Sequence, residues 1–260
     1  METHPLTQIA QALDQARLEA REVERVTVKH PKLTLEEAYQ IQDQGIRLRL
    51  SQGEKIIGYK MGLTSEAKRA QMGLGSPIYG VLTDRMQVQN GAYFSLKGKI
   101  HPKIEPEIAF KTKRTLKGQV TQEQALAACE SVCAAMEVLD SRYTGFKYFS
   151  LEDVVADNSS SSYFILGSPI SPSGLDLSTL EMIMEVNGKA VQSARSSAIS
   201  GHPVNSIVQL CELLTSRGLE LPAGSLVLAG AATQAVTLEP GLEIRLTVEK
   251  LGEVTMRAEI

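Results

Sequence analysis

Between Pro5 and Thr27 the apolar residues recur at helical spacing, and the segment predicts an amphipathic helix. A second helix is predicted over Leu35–Ser51, with Thr34 as N-cap and Glu37 at the capping-box position. Gly53 breaks that pattern before Lys55–Tyr59, a short apolar run of strand character. Thr64–Met72 reads as a further short helix, closed by Gly73 and Gly75. From Gly80 onward short β-like runs dominate: Ile104–Lys111, Met136–Asp140, Ser162–Leu166, Met182–Val186, Leu226–Leu228, Glu243–Val248 and Thr255–Glu259. Asn187-Gly188 is a strong hairpin signal, and Lys250–Glu253 reads as the tip of a second hairpin. Helices are expected to interrupt the strands at Gln122–Cys133 and Pro203–Arg217. The pattern predicts an α+β chain: a helical N-terminal region, residues 1–75, packed on a mostly antiparallel β-rich core, residues 76–260.

Composition narrows the function classes. Among 260 residues, Lys and Arg total 27 against 30 Asp and Glu, a net charge of −3 that lacks the basic footprint of a nucleic-acid protein. The apolar runs are too short to span a membrane, and residues 1–30 are polar and helix-like rather than a signal peptide. Cys129, Cys133 and Cys211 are odd in number and form no CxxC pair, so a reducing cytoplasm is expected rather than a disulfide framework. Cys129 and Cys133, one turn apart on the expected helix, read as small core residues.

The chemistry concentrates in carboxylates. On an extended strand Glu105 and Glu107 share one face, with Ile104 and Ile108 on the other. Pro106 removes a backbone donor, which suits an edge, a bulge or the lip of a site. Glu137 stands inside the apolar run MEVLD, where an ionised carboxylate needs a partner. A divalent cation would serve several such groups at once, and hard oxygen ligands favour Mg²⁺ or Mn²⁺ over zinc. Spacing alone leaves open a solvated strand face for Glu105 and Glu107, and a buried pair of Glu137 with Arg142 or Lys147.

Lys60 lies between Gly58 and Gly62 at an expected strand-to-helix turn, placed to bind an anion or act as a general acid if burial lowers its pKa, or simply to face solvent. The polar cluster Ala156–Ser162 enters an apolar strand, and Gly201-His202-Pro203 precedes a helix that His202 is expected to cap. No Ser-His-Asp order, HExxH or dinucleotide glycine fingerprint is present.

GYKMGLTSEAKRAQMG, SPIYGVL, HPKIEPEIAF, MEVLDSRY, VVADNSSSSYFILG, GHP and PAGSLVLAG followed by EPG occur in an order that resembles the 2-oxopent-4-enoate hydratase/4-oxalocrotonate decarboxylase family of the fumarylacetoacetate hydrolase superfamily. The resemblance runs from about Lys55 to the C-terminus, and implies a mixed β-sandwich or roll core with a helical N-terminal region. It places the metal ligands on Glu105, Glu107 and Glu137, the family lysine on Lys60, and a polar substrate contact on Ser160, with Ile78 in the wall; from the residues themselves, the stretch Gly230–Thr233 after the strand SLVLA lines a pocket through Thr233 or is simply a turn. The hydratases of the family usually carry Asp in a PDFG-like turn; here Pro77-Ile78-Tyr79-Gly80 puts Ile78 there. The superfamily's hydrolases activate water with a His and a Glu on the next short helix, and TSEAKRAQM has no His. The resemblance therefore implies metal-dependent loss of CO₂ from 2-oxohex-3-enedioate. The alternatives are 2-oxopent-4-enoate hydration or a non-catalytic partner subunit of that hydratase. It also implies a cytoplasmic homo-oligomer, an oxo-dicarboxylate substrate and association with the pathway's hydratase.

Overall fold

Proline at the first position opens α1 (Pro5–Leu18), which ends well before Thr27 because Ala20 turns the backbone left-handed at φ 50°. The computed structural model describes residues 4–64, 76–146 and 150–260, so the helix expected over Thr64–Met72 falls, beyond Thr64, outside the described residues. After a single turn, α2 (Val26–Lys29), the expected capping box forms at α3 (Leu35–Ser51): the Thr34 hydroxyl accepts from Glu37 N, and Glu37 accepts from Thr34 N at 2.8 Å.

The larger sheet has the order β2 (Ile78–Thr83), β1 (Ile56–Gly62), β10 (Leu226–Leu228), β5 (Lys103–Thr112), β6 (Cys129–Leu139), β7 (Ser161–Leu166) and β3 (Gln87–Val88), with β11 (Val236–Thr237) also on β5. The smaller sheet runs β4 (Tyr93–Ser95), β13 (Gly252–Glu259), β12 (Glu243–Val248), β8 (Glu181–Val186) and β9 (Lys189–Arg195). Both expected hairpins form: Asn187 and Gly188 turn with φ 50° and 74° between β8 and β9, and Lys250 with φ 63° between β12 and β13. Antiparallel pairs predominate, while β1–β10, β3–β7 and β13–β4 are parallel.

Two boundaries differ from the sequence expectation. The helical N-terminal region ends at Ser51, not near residue 75, because β1 pairs with both β2 and β10 inside the large sheet. The helix expected over Gln122–Cys133 stops at α4 (Gln122–Ala127), and Cys129 already starts β6. Ala-rich sequence favours a helix there locally, but β5 and β7 supply ladders on either side of β6, and tertiary pairing overrides the propensity. A short α5 (Leu151–Ala156) follows β6, and the expected helix near Pro203 is α6 (Asn205–Ser216).

Alternate residues of β5 divide the molecule. Ile104 and Ile108 join Met136 and Val138 of β6 in one buried core with Ile244, Leu246 and Val254 of the smaller sheet. Glu105 and Glu107 occupy the opposite face of the strand, as period two requires. No described helix is long and apolar enough to cross a membrane.

Candidate metal centre and active site

Ladder register brings the carboxylates together. Glu105 of β5 stands directly opposite Glu137 of β6, and Glu107 lies two residues along on the same face. One carboxylate oxygen from each of Glu105, Glu107 and Glu137 lies within 4.8 Å of the others. Glu107 and Glu137 are fully buried and Glu105 partly so, which rules out a solvated strand face for the pair. Pro106 is not at a sheet edge. It sits in a central strand, where β5 passes from pairing with β10 to pairing with β11, so its missing N–H interrupts no ladder on that side. Its carbonyl still accepts from Ala232 N at 3.0 Å.

Lys60 is a strand residue rather than a turn residue. It lies inside β1 opposite Gly80 and Leu228, 4% exposed, with Nζ donating to Glu137 Oε2 at 3.1 Å. The pair expected for Glu137 is therefore made with Lys60; Arg142 pairs with Asp157, and Lys147 lies outside the described residues. Burial alone would lower the Lys60 pKa, but Glu137, Glu105 and Glu107 outweigh it and the net shift is upward. The expectation that burial would lower it fails for that reason. Burial pushes the Glu107 carboxyl well above the ordinary carboxylate value, the charge of Glu137 adds to this, and Lys60 offsets part of it.

The remaining hydrogen bonds hold these side chains. Ser161 Oγ donates to Glu137 Oε1 at 2.8 Å, and Gly230 N donates to Glu107 Oε2 at 2.8 Å. Gly230 has φ 103°, and a Cβ there would lie 2.5 Å from Thr64 Oγ1, so only glycine fits this close passage. Before β7, Asn158, Ser159 and Ser160 are consecutively left-handed, with φ 49°, 54° and 55°, a costly conformation for residues with a Cβ. The surroundings impose it. Asn158 pairs with the Val81 backbone through its side-chain amide, at 2.8 and 3.0 Å, and Ser159 Oγ donates to Tyr79 O at 2.8 Å. Arg142 ties the two ends of the turn, donating to Asp140 O, to the Asp157 carboxylate and, at 2.6 Å, to Asp157 O.

A cavity of about 70 Å³ opens beside the trio at Glu105, lined among others by Lys60, Ile78, Glu105, Leu139, Val154 and Ser160. Six of the seven sequence candidates thus meet here: Lys60, Glu105, Ile78 and Ser160 line the cavity, and Glu107 and Glu137 are grouped with Glu105. Thr233 does not line this cavity; Ala231, nearer the end of β10, does. His202 lies elsewhere and does not cap α6 as expected: its Nδ1 accepts from Val204 N at 3.1 Å, ahead of the helix, which has no side-chain cap. Ser159 and Ser161 lie in the polar cluster and Gly230 in the stretch before Thr233 that the sequence points to, but the sequence singles out none of the three. The run of four serines offers no signal to rank its members, and Gly230 announces itself only through its contact with Thr64.

The residues fit a divalent cation. Glu107 Oε1 is buried without a hydrogen-bond partner, which is costly unless a positive group meets it. Three carboxylates converge on one space and offer only hard oxygen donors, the ligand type a Mg²⁺-like divalent ion takes.

The fumarylacetoacetate hydrolase C-terminal family model matches residues 61–258, which include the three glutamates, Ile78 and the left-handed turn. The chain belongs to the fumarylacetoacetate hydrolase family. Within it, the chain is 44% identical over 250 residues to 4-oxalocrotonate decarboxylase of a Pseudomonas species, with 96% of each chain covered. It is 37% identical over 251 residues to 2-hydroxyhexa-2,4-dienoate hydratase of Comamonas testosteroni, with 95% of each covered. Among solved structures of the fumarylacetoacetate hydrolase fold, 4-oxalocrotonate decarboxylase from Pseudomonas putida G7, complexed with magnesium and adipate, superposes with a TM-score of 0.94 at 40% identity, covering 97% of both chains. The α+β fold expected from sequence is the fold of this family.

Proposed function

We propose that this chain removes CO₂ from 2-oxohex-3-enedioate (4-oxalocrotonate), giving 2-hydroxypenta-2,4-dienoate, in meta-cleavage catabolism of aromatic compounds. Mg²⁺ or Mn²⁺ is held by Glu105, Glu107 and Glu137. One observation carries the reading: Glu105 of the glutamate trio and Lys60 line a cavity whose wall has Ile78, where the hydratase pattern has an acid. Identity of 42–44% to proteins named 4-oxalocrotonate decarboxylase supports it. So does the adipate in the related structure, a six-carbon dicarboxylate like the proposed substrate.

In the substrate the far carboxylate is vinylogously β to the 2-oxo group. The C5–C6 bond breaks, its electron pair forms C4=C5, the C3=C4 pair moves to C2=C3, and charge arrives on the 2-oxo oxygen. A bound divalent cation supplies Lewis acidity toward the C1 carboxylate and the 2-oxo group. Lys60 holds a proton at Nζ beside the trio and gives a hydrogen bond or the proton to the developing enolate oxygen. Ser160 offers a polar contact from the left-handed turn. Ile78, Leu139 and Val154 form an apolar wall that favours loss of the localised carboxylate charge.

Hydration of a 2-oxopent-4-enoate is the rival, and it requires a group that takes a proton from water; no such group stands at position 78. Incubating the Mg²⁺-loaded protein with each substrate separates the two. We expect CO₂ release from the enedioate and no consumption of the dienoate; dienoate consumption without CO₂ release would assign the hydratase reaction, and no turnover of either a non-catalytic subunit. The same reading includes a cytoplasmic homo-oligomer and association with the hydratase that consumes the dienol product.

A further inference from the structure

Arg49, on the last turn of α3, is 6% exposed. Among the described residues its guanidinium takes part in no hydrogen bond or ion pair. It lines a cavity of about 30 Å³ bordered by α1, α3 and the segment Ala156–Asn158. The other charged residues of that lining are Arg17, Arg142, Asp14 and Asp157. They are already paired: Arg17 donates twice to Asp14 Oδ1, at 2.9 and 2.7 Å, and Arg142 is bound to Asp157. Of the three guanidiniums in this lining, Arg49 is the one without a carboxylate partner; Glu54, outside the lining, acts on it electrostatically and accepts from the Thr83 hydroxyl. Burial and the like charges of Arg17 and Arg142 bring Arg49 down only to about 10, so it stays charged at neutral pH. Gln42 lines the same space, and its Oε1 is buried without a hydrogen-bond partner.

Size and charge select the occupant. One water needs roughly 10–15 Å³ of such space, so the cavity has room for a single small ion with a water. We propose that this cavity is a binding site for a small monovalent anion of chloride size, seated on Arg49 between Arg17 and Arg142, with a water donating to Gln42 Oε1. The site is separate from the metal centre but shares its framework. Arg142 and Asn158, which line it, hold the left-handed turn, and Gln42 Nε2 donates to Tyr79 O at 3.1 Å and to Val155 O at 3.2 Å. The anion therefore reinforces the turn that presents Ser160.

The test uses the metal-loaded, full-length protein. Crystals soaked in sodium bromide should give an anomalous peak against the Arg49 guanidinium. Melting followed in sodium chloride against sodium gluconate at fixed ionic strength should show a saturable chloride-specific rise of a few degrees. Arg49→Met should lose both the peak and the rise. A cavity holding only water in the bromide soak overturns the proposal, as does equal melting in chloride and gluconate. A chloride-specific rise retained by Arg49→Met overturns it too. If that variant does not fold, the bromide soak and the salt comparison on the unaltered chain decide alone.

Discussion

Lys60 Nζ lies 3.1 Å from Glu137 Oε2, joining residues 77 positions apart through a sheet in which β10 and β5 separate their strands. The pair puts an ammonium against Glu137 in the lining of the cavity that Ile78 and Ser160 also line. Lys60→Met is expected to lower turnover of the metal-loaded enzyme by roughly 10²–10³-fold, the usual loss when one stabilising donor is removed. Steady-state kinetics check this; a change confined to KM would reassign Lys60 to anion binding.

Glu137→Gln keeps the shape and the Ser161 contact but removes a ligand charge. Metal affinity should fall by at least ~100-fold, beyond the range seen for groups that merely support a ligand, while circular dichroism of the fold is unchanged. Titration calorimetry with Mn²⁺ measures it, and wild-type affinity would remove Glu137 from the ligand set.

Protons and metal compete for Glu107. Its carboxyl is raised in the metal-free chain by burial and by Glu137, so the folded state keeps a proton that the unfolded chain has released. A folded-state pKa above the unfolded one gives stability below the unfolded pKa and loses it as pH rises through the folded pKa. Metal-free protein should therefore weaken as pH rises from acid, and the metal, by displacing that proton, should stabilise more at about pH 8 than at about pH 5.5. Melting with Mg²⁺ and with chelator at both pH values checks the sign; an equal metal effect at the two would contradict it.

Gly80 faces the turn. A Cβ there would lie 2.7 Å from Asn158 O, a backbone atom with nowhere to retreat. Gly80→Ala should cost about 1–3 kcal/mol, as overpacking does, and should reduce turnover by displacing Ser160. Chemical denaturation and kinetics measured together test this, and a variant with wild-type stability and activity would contradict the tight approach.

The part of this site that the sequence makes legible is the part governed by short-range periodicity. Alternation puts Glu105 and Glu107 on one face, and the apolar run around Glu137 marks it as buried. What is not legible depends on partners distant in sequence. Glycines on both sides of Lys60 read as a turn, yet Gly58 serves close packing in the sheet: a Cβ there would lie 1.9 Å from Leu226 O. Pro106 reads as an edge, a bulge or the lip of a site rather than a central strand because the gap between β10 and β11 is set more than a hundred positions later. Helix propensity hides the start of β6, and nothing local tells Ser161 from the serines beside it.

The central claim is that cation-assisted charge withdrawal at the glutamate trio drives loss of CO₂. Its most direct test is CO₂ release from 2-oxohex-3-enedioate by chelator-treated protein before and after Mg²⁺ or Mn²⁺ is restored. The account predicts release near the uncatalysed rate without metal and full recovery, one CO₂ per substrate, on its return. Undiminished release from the metal-free protein would contradict it.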